Sequence, residues 1–261
     1  MERIWETGNR KLTLDVSIKC PGTCRFIIYA EDPTKMNSKY VNRIIEVEGW
    51  RTVELKLPQT PQRLKIVVSQ VDNNARIDYL VDVKERELVT YNIHLDTAIE
   101  SFLKIAVPFC QISGYNVPPR GGRVFYDQTS TYHIKYLPKI VDQFTGQVLN
   151  TPARIGHRTG VIEISKAKYD TYTVAQRMII ILHEFSHKYR NPQIGLPISH
   201  ESGADINALY IYLGLGYSKV DAITVFANVF LKAQSEGNIR RMRKIQEYIS
   251  RFENQEYAHK N

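Results

Sequence analysis

Two histidines and a glutamate stand close together in the run His183-Glu184-Phe185-Ser186-His187. Residues four positions apart lie on one face of a helix, so both imidazoles can hold a single zinc ion. The glutamate next to the first histidine can then reach a water on that metal and take its proton. This arrangement predicts hydrolysis, most often of a peptide bond.

The residues before the motif predict a helix that is buried in a core. Thr173 and Gln176 have the spacing of a capping box, which places the helix start about ten residues before His183. The run 178–182 is apolar on all sides, as expected for a buried helix. Buried histidines and a buried carboxylate need partners, and a metal supplies them. The alternative is a pair of core histidines with a surface glutamate between them.

A second helix is predicted shortly after the motif. Ser199 can cap its start, and Gly214 and Gly216 can end it. Ala204 and Ala208 are small enough to let this helix approach the first one closely.

The second helix carries the residues that could complete a metal site. Catalytic zinc keeps three protein ligands and one open position, and we interpret Glu201 as the third ligand. Asp205 lies one turn further along the same face, and we expect it to accept the free ring N–H of His183 or His187. Two alternatives stay open for the third ligand: His200, or Asp205 with Glu201 behind it.

With these residues, the chain resembles the gluzincin branch of zinc metallopeptidases. In that branch an HExxH helix is followed by a second helix with a glutamate ligand and, often four residues on, an aspartate. The resemblance covers about residues 120 to 215, and only the motif, Glu201 and Asp205 carry it. It implies a zinc-dependent endopeptidase or aminopeptidase with a cleft above the first helix.

Peptide hydrolysis at such a site needs further groups. Glu184 is expected to act as general base and then to pass the proton to the leaving amine. The oxyanion needs a donor from across the cleft, and His157 and Tyr210 are the candidates that we place first. Other candidates lie near the motif: His200, Tyr189 and Arg190.

The segment before the motif predicts strands. The run Gly160–Ser165 is β-branched and bounded by turn residues, and its position resembles the edge strand that binds extended substrates in zincins. The alternative is an internal strand without a free edge. Two further strands are predicted at Arg123–Asp127 and Tyr132–Leu137.

The first 94 residues differ in pattern from the rest. Seven short strand-like runs in about a hundred residues predict an antiparallel β-sandwich, which could bind a partner or serve as a spacer. The runs are Lys11–Ile18, Cys24–Ala30, Asn42–Val47, Arg51–Leu57, Gln62–Ser69, Arg76–Val83 and Glu87–His94.

The remainder of the chain is predicted to be mainly helical. Asp96 can cap a helix that ends at Pro108, Ser218 can cap another, and a last helix is expected over Asn238–Phe252 with Ile239 among its buried residues. The fold class is therefore predicted as α+β, with a β-sandwich domain over 1–94 and a zincin-like domain over 95–261.

Composition limits the location and the partners. The chain has 261 residues and is 43% hydrophobic, which is enough for two cores. No apolar run reaches the length of a membrane span, and the first residues are not a signal peptide, so we expect a cytoplasmic protein. Cys20 and Cys24 flank a tight turn, and without an export signal we favour free thiols.

The net charge of +8 is concentrated toward the C-terminal half of the chain. Arg240, Arg241, Arg243 and Lys244 lie together on the last predicted helix. We interpret them as a solvated helix face, and nucleic-acid binding is the less favoured alternative.

The sequence therefore predicts a zinc peptidase that acts on polypeptides and does not contact a membrane. The alternative is a structural or processing component of a large assembly, such as a phage virion, that has a zincin-like fold but little general proteolytic activity. In that case the N-terminal domain would be the part that contacts the assembly.

Overall fold

The computed structural model describes residues 1–71, 78–129, 131–156, 158–189, 191, 201–233, 235–254 and 259–260. The chain divides into two compact units, Met1–Val89 and Thr90–Asn261. Helices and strands contribute almost equally, at 33% and 34%, which makes the fold α+β. The sequence predicts the boundary after residue 94, a few residues beyond the end of the first unit at Val89.

The first unit contains one antiparallel sheet built around a long central strand. Its strands are β1 Glu2–Glu6, β2 Leu12–Glu31, β3 Lys39–Leu57, β4 Arg63–Gln70 and β5 Leu80–Glu87. The central strand β2 pairs with β3 along almost all of its length. Its other side pairs with β5 over residues 12–19 and with β4 over residues 26–31, and β1 pairs with β4.

Four of the predicted short strands are merged in the structure into the two long ones. The runs Lys11–Ile18 and Cys24–Ala30 both belong to β2, because Pro21 and Gly22 form a bulge in the strand where a chain reversal was predicted. The even-numbered residues before and after the bulge are buried on the same face. Three residues of β2, 21–23, lie opposite the single residue Glu48 of β3, so the bulge adds two residues and the alternation is preserved.

The two cysteines that flank the bulge are paired as a disulfide, so the prediction of free thiols was wrong. Their Cα atoms lie 6.9 Å apart. Both side chains are on the buried face of the sheet, at 0% exposure for Cys20 and 2% for Cys24. The bulge keeps the two thiols on one face and within reach of each other, which the spacing alone could not show.

The second unit contains a four-stranded sheet in the order β7-β8-β10-β9. Its strands are β7 Arg123–Tyr126, β8 His133–Leu137, β9 Ala153–Ile155 and β10 Val161–Ser165, and a separate pair joins β6 Tyr91–Asn92 to β11 His259–Lys260. Strand β10 is parallel to β8 on one side and antiparallel to β9 on the other. The prediction that this segment is an edge strand was therefore wrong, because the three-residue strand β9 covers its outer side.

One helix of the second unit precedes the four strands of its sheet, and the other helices follow them. They are α1 Thr97–Ile112, α2 Lys166–Tyr169, α3 Val174–Ser186, α4 Glu201–Gly214, α5 Lys219–Val225, the π-helical turn Phe226–Phe230 and α6 Glu236–Glu253. Asp96 caps α1 as predicted, but the helix continues through Pro108. Proline removes only one backbone donor, and burial of Phe109 and Cys110 stabilises the final turn. Within the described ranges, no helix combines the length and the apolar character needed to cross a membrane.

Helix α3 lies at the centre of the second unit, and its start is fixed by two separate sets of contacts. The predicted capping box is confirmed: Thr173 accepts from the Gln176 N–H, and the Gln176 side chain accepts from the Thr173 N–H. The fully buried guanidinium of Arg177 donates to the carbonyl oxygens of Tyr169 and Cys110. These contacts connect α3 to α2 and α1, and so fix its rotation before the histidines are reached.

The C-terminal helices match the predicted pattern only in part. Ser218 caps α5 as predicted. In α6, Ile245, Ile249 and Phe252 are buried, but Ile239 is 48% exposed, so its predicted burial was wrong. It lies in the first turn of the helix, before the segment that packs on the core.

The cap of α3 gives the first testable prediction. Thr173→Ala removes the acceptor for the Gln176 N–H and should lower the free energy of unfolding by about 1 kcal/mol, which is a fall in Tm of about 2–4 °C. Thr171→Ala, at an exposed position just before the helix, is the matched control. Thermal unfolding followed by circular dichroism measures both, and equal losses would contradict the assignment of the cap.

Candidate metal centre

The two histidines of the motif face the same side of the end of α3. Helix α3 ends at Ser186, and His187 is its C-cap residue, with φ −69° and ψ −21°. This conformation is still helical, so the four-residue spacing keeps both rings on one face. The Nε2 atoms of His183 and His187 lie 3.1 Å apart.

Glu201, the first residue of α4, lies beside both rings. Its Oε2 is 3.5 Å from Nε2 of His183, and its Oε1 is 3.6 Å from Nε2 of His187. We call these three residues the His–His–Glu cluster. Their ligand atoms all lie within 4.8 Å of one another, as a shared metal ion requires.

The spacing within the cluster can be compared with what zinc demands. Four ligands at about 2.0–2.1 Å in tetrahedral geometry are separated from each other by about 3.3 Å. The separation of 3.1 Å between the two Nε2 atoms is close to that value, and each ring has a different oxygen of Glu201 at 3.5 or 3.6 Å. Two imidazoles and one carboxylate are also the donor set of a group of catalytic zinc sites. The residues present therefore fit a zinc ion.

Asp205 lies behind His183, on the side away from the cluster. Its Oδ1 is 3.0 Å from Nδ1 of His183, and neither side chain is more than 2% exposed. A carboxylate at this distance favours the proton on Nδ1 and leaves the lone pair of Nε2 free to bind a metal. Asp205 is therefore placed to orient the ring and to favour the tautomer that a metal ligand needs.

Burial and hydrogen bonds within the site have the largest effects on the pKa values of His183 and Glu201. Burial alone would lower the pKa of His183, but contacts with Asp205 and Glu201 outweigh it and raise the pKa to about 9. The hydrogen bond from His183, opposed in part by burial, lowers the pKa of Glu201 to about 2. The cluster therefore has the negative character that attracts a cation.

Arg241 of α6 is a member of the site that the sequence interpretation missed. Its Nε and Nη2 lie 2.8 and 2.9 Å from the two oxygens of Asp205, and its Nη2 lies 3.1 Å from Oε2 of Glu201. The side chain is only 14% exposed, so the prediction of a solvated face fails for this residue. A signal was available, because Arg241 precedes the buried Ile245 and Ile249 at helical spacing.

Two aromatic rings of the π-helical turn cover the outer side of His183. The ring of Phe230 stacks on the imidazole with centroids 4.0 Å apart, and Phe226 lies edge-on at 6.5 Å. An extra residue in a helical turn redirects the side chains that follow it, and such turns are frequent at functional sites. The π-helical turn therefore brings Phe230 over a ring that a regular helix would leave less covered.

Glu184 is buried beside the cluster and is held by the edge strand. Burial raises the pKa of its carboxyl group, while a hydrogen bond from the backbone N–H of Ile155 acts in the opposite direction. Ile155 is the last residue of β9. Among the described residues β9 is an edge strand of the sheet, so the carboxylate that the motif predicts to be the base contacts that edge.

The remaining candidates from the sequence have other contacts or lie outside the described residues. The Tyr210 hydroxyl accepts from the backbone N–H of His94 at 3.1 Å, and the Tyr189 hydroxyl donates to Asp96 at 2.6 Å. Both tyrosines therefore contribute to packing around the start of α1. Four other predicted residues fall outside the described ranges: His157, Arg190, Ser199 and His200.

Comparison of the chain with protein-family models, curated proteins and solved structures gives no match. The chemistry of the site is therefore argued from its own geometry.

Metal binding gives the second prediction. Zinc added to chelator-treated protein should bind once per chain and raise Tm. At a free zinc concentration of 100 Kd, binding should add about 2.7 kcal/mol to the free energy of unfolding. Glu201→Gln should weaken zinc binding by at least about tenfold, since it removes a charged ligand. Competition with a chromophoric chelator measures the affinity, and the exposed Glu236→Gln is the control. Equal affinities for the two variants would contradict the assignment of Glu201.

The contacts of Arg241 give the third prediction. Arg241→Met removes the guanidinium that binds both oxygens of the buried Asp205 and should cost about 3 kcal/mol of stability. It should also weaken zinc binding by about 10- to 100-fold. Arg240→Met is the matched control, because the neighbouring Arg240 is 70% exposed and pairs only with the exposed Glu236 among the described residues.

Arg241→Lys separates charge from geometry in the same experiment. A lysine keeps the charge but cannot bind both oxygens of Asp205 in the same plane. The stability and the zinc affinity of Arg241→Lys should therefore lie between those of the wild type and those of Arg241→Met. If both Arg241 variants matched the Arg240→Met control in unfolding and in zinc titration, the assigned role would be wrong.

Proposed function

We propose that the chain is a zinc-dependent peptidase in which Glu184 is the general base. The observation that carries the proposal is the position of Glu184. Its buried carboxylate adjoins the first histidine of the cluster and accepts a hydrogen bond from the open strand β9. A metal site, a proton acceptor and an edge for an extended peptide thus adjoin one another. Zinc, when bound, supplies Lewis acidity and an activated water.

The protein side chains have separate roles in this proposal. Glu184 accepts a proton from the attacking water and delivers it to the leaving amine, for which a carboxyl pKa raised by burial is well suited. Asp205 orients His183, and Arg241 holds Glu201 and Asp205 in place. The resemblance to gluzincins at these positions supports the same assignment.

The substrate is proposed to be a polypeptide that pairs with β9. Gly156 donates to the carbonyl of Val161 in β10, so the N–H and C=O of Ile155 point away from β10. The N–H is donated to Glu184, so the C=O of Ile155 is the group with which an extended peptide would pair. An extended peptide could add to this edge by main-chain hydrogen bonds. Its backbone would then pass next to Glu184. This proposal transfers to β9 the role that the sequence assigned to β10.

We also propose that the first unit is a β-sandwich and that the second has a zincin-like fold. The described residues of the first unit contain no helix, yet the even-numbered side chains of β2 are buried on both sides of the bulge. A sheet that folds over at the Cys20–Cys24 bulge would let its two halves cover each other. In the second unit, the order of the sheet, the motif helix and the ligand helix supports the zincin-like arrangement.

The general base gives the fourth prediction. Glu184→Gln is nearly isosteric, so it should retain zinc and fold while lowering kcat by about 10²- to 10⁴-fold. A digest of a peptide library, with zinc content measured on the same sample, tests this. Glu247→Gln, at an exposed position on α6, is the control. A zinc-loaded wild type that cleaves no peptide would favour the alternative of an assembly component with little proteolytic activity.

A further inference from the structure

A cavity of about 340 Å³ lies against the same strand that holds Glu184. Three segments line it: the turn at 142–144, the strand β9 with the following residues, and β10. The lining residues used in the argument are Asp142, Phe144, Arg154, Ile155, Val161 and Glu163. This volume is near the lower end of the range for ligand pockets and suits one large side chain.

The cavity opens on the face of the sheet that is turned away from α3. Ile155 pairs with Ile162, which is fully buried on the core side. Arg154 pairs with Glu163, so this pair lies on the opposite face, since successive side chains of a strand alternate. A peptide added to the edge of β9 would alternate in the same way. Every second side chain would therefore lie on the face where the cavity opens.

The wall formed by the 142–144 turn presents an aromatic ring to solvent. Asp142 Oδ1 accepts from the N–H of Phe144 at 3.0 Å and from the N–H of Thr145 at 2.8 Å. These bonds fix the turn and project Phe144, whose side chain is 98% exposed. A rigid turn that displays a large apolar ring beside an open strand edge provides a surface for an apolar ligand group.

The charged groups of the lining are already engaged with one another. Arg154 Nε lies 2.7 Å from Glu163 Oε2, and Arg154 Nη2 donates to the carbonyl of Val141 at 3.2 Å. Lys135 also lies 3.5 Å from Glu163. A charged ligand group would compete with these pairs, whereas an apolar group would pack against Phe144 and Val161.

We propose that this cavity binds one bulky apolar side chain of the substrate, aromatic or branched aliphatic, within about three residues of the cleaved bond. The limit follows because Ile155, which donates to Glu184, also lines the cavity, and each residue of an extended peptide advances it by about 3.3 Å. Phe144 is the residue that determines this preference. The inference rests on the proposed peptidase function and adds the class of substrate to it.

The first test compares peptides that differ at one position. Peptides carrying Phe, Leu, Lys, Glu or Gly at each site within three residues of the cleaved bond are digested by the zinc-loaded full chain. The wild type should favour Phe and Leu over Gly at one site, and Phe144→Ala should reduce that ratio of kcat/KM about tenfold. Val148→Ala is the matched control, because Val148 is 58% exposed near the same turn but does not line the cavity.

Binding without turnover separates failure of this proposal from failure of the peptidase function. The fluorescence polarisation of labelled peptides is titrated with Glu184→Gln, alone and combined with Phe144→Ala. A preference for Phe over Gly that disappears with Phe144 supports the cavity assignment, even if the wild type cleaves nothing. Peptides that are bound or cleaved with no side-chain preference, or with one that survives Phe144→Ala, would overturn it.

Discussion

The buried carboxylate of Asp205 is the constraint on which the arrangement of the second unit depends. Its side chain is 1% exposed and would be costly to keep charged without partners. Two cations compensate it: the imidazole of His183 from α3 and the guanidinium of Arg241 from α6. Because the three groups come from three helices, the position of each helix is coupled to the other two. These contacts of Asp205 also fix the geometry of the His–His–Glu cluster, because Glu201 lies one turn before Asp205 on the same helix.

The opposite flank of α3 is fixed in a different way. Arg177 holds the start of the helix against α1 and α2, and Glu184 connects its end to β9 through the Ile155 N–H. The helix is therefore restrained at its beginning, at its metal-facing side and at its sheet-facing side. A site that must hold a small ion at about 2 Å needs restraint of this kind, because side-chain freedom of even a fraction of an ångström weakens coordination.

The sequence predicted local features well where one short pattern determines them. The capping box at Thr173, the cap at Asp96 and the strand at β10 each depend on residues close in the chain, and each is confirmed. Contacts between distant segments were the ones it did not predict. The pairing of β9 with β10, the disulfide across the bulge and the contact of Arg241 with Asp205 depend on how segments meet in space. For Arg241 the helical spacing did carry information, but the positive charge suggested a solvated position.

The negative charge around the His–His–Glu cluster favours a proton on His183 and would also favour a bound metal ion. Glu201 and Asp205 bring two carboxylates to one guanidinium, so a positive charge is still needed near His183. In the metal-free state a proton meets this need, since contacts with Asp205 and Glu201 outweigh burial and raise the pKa of His183 to about 9. A divalent cation would meet it as well, because the ligand atoms of both rings and of Glu201 lie within 4.8 Å of one another. A proton and a metal ion would therefore compete for the same site. The negative charge that stabilises the folded helices is also the charge that would bind the ion.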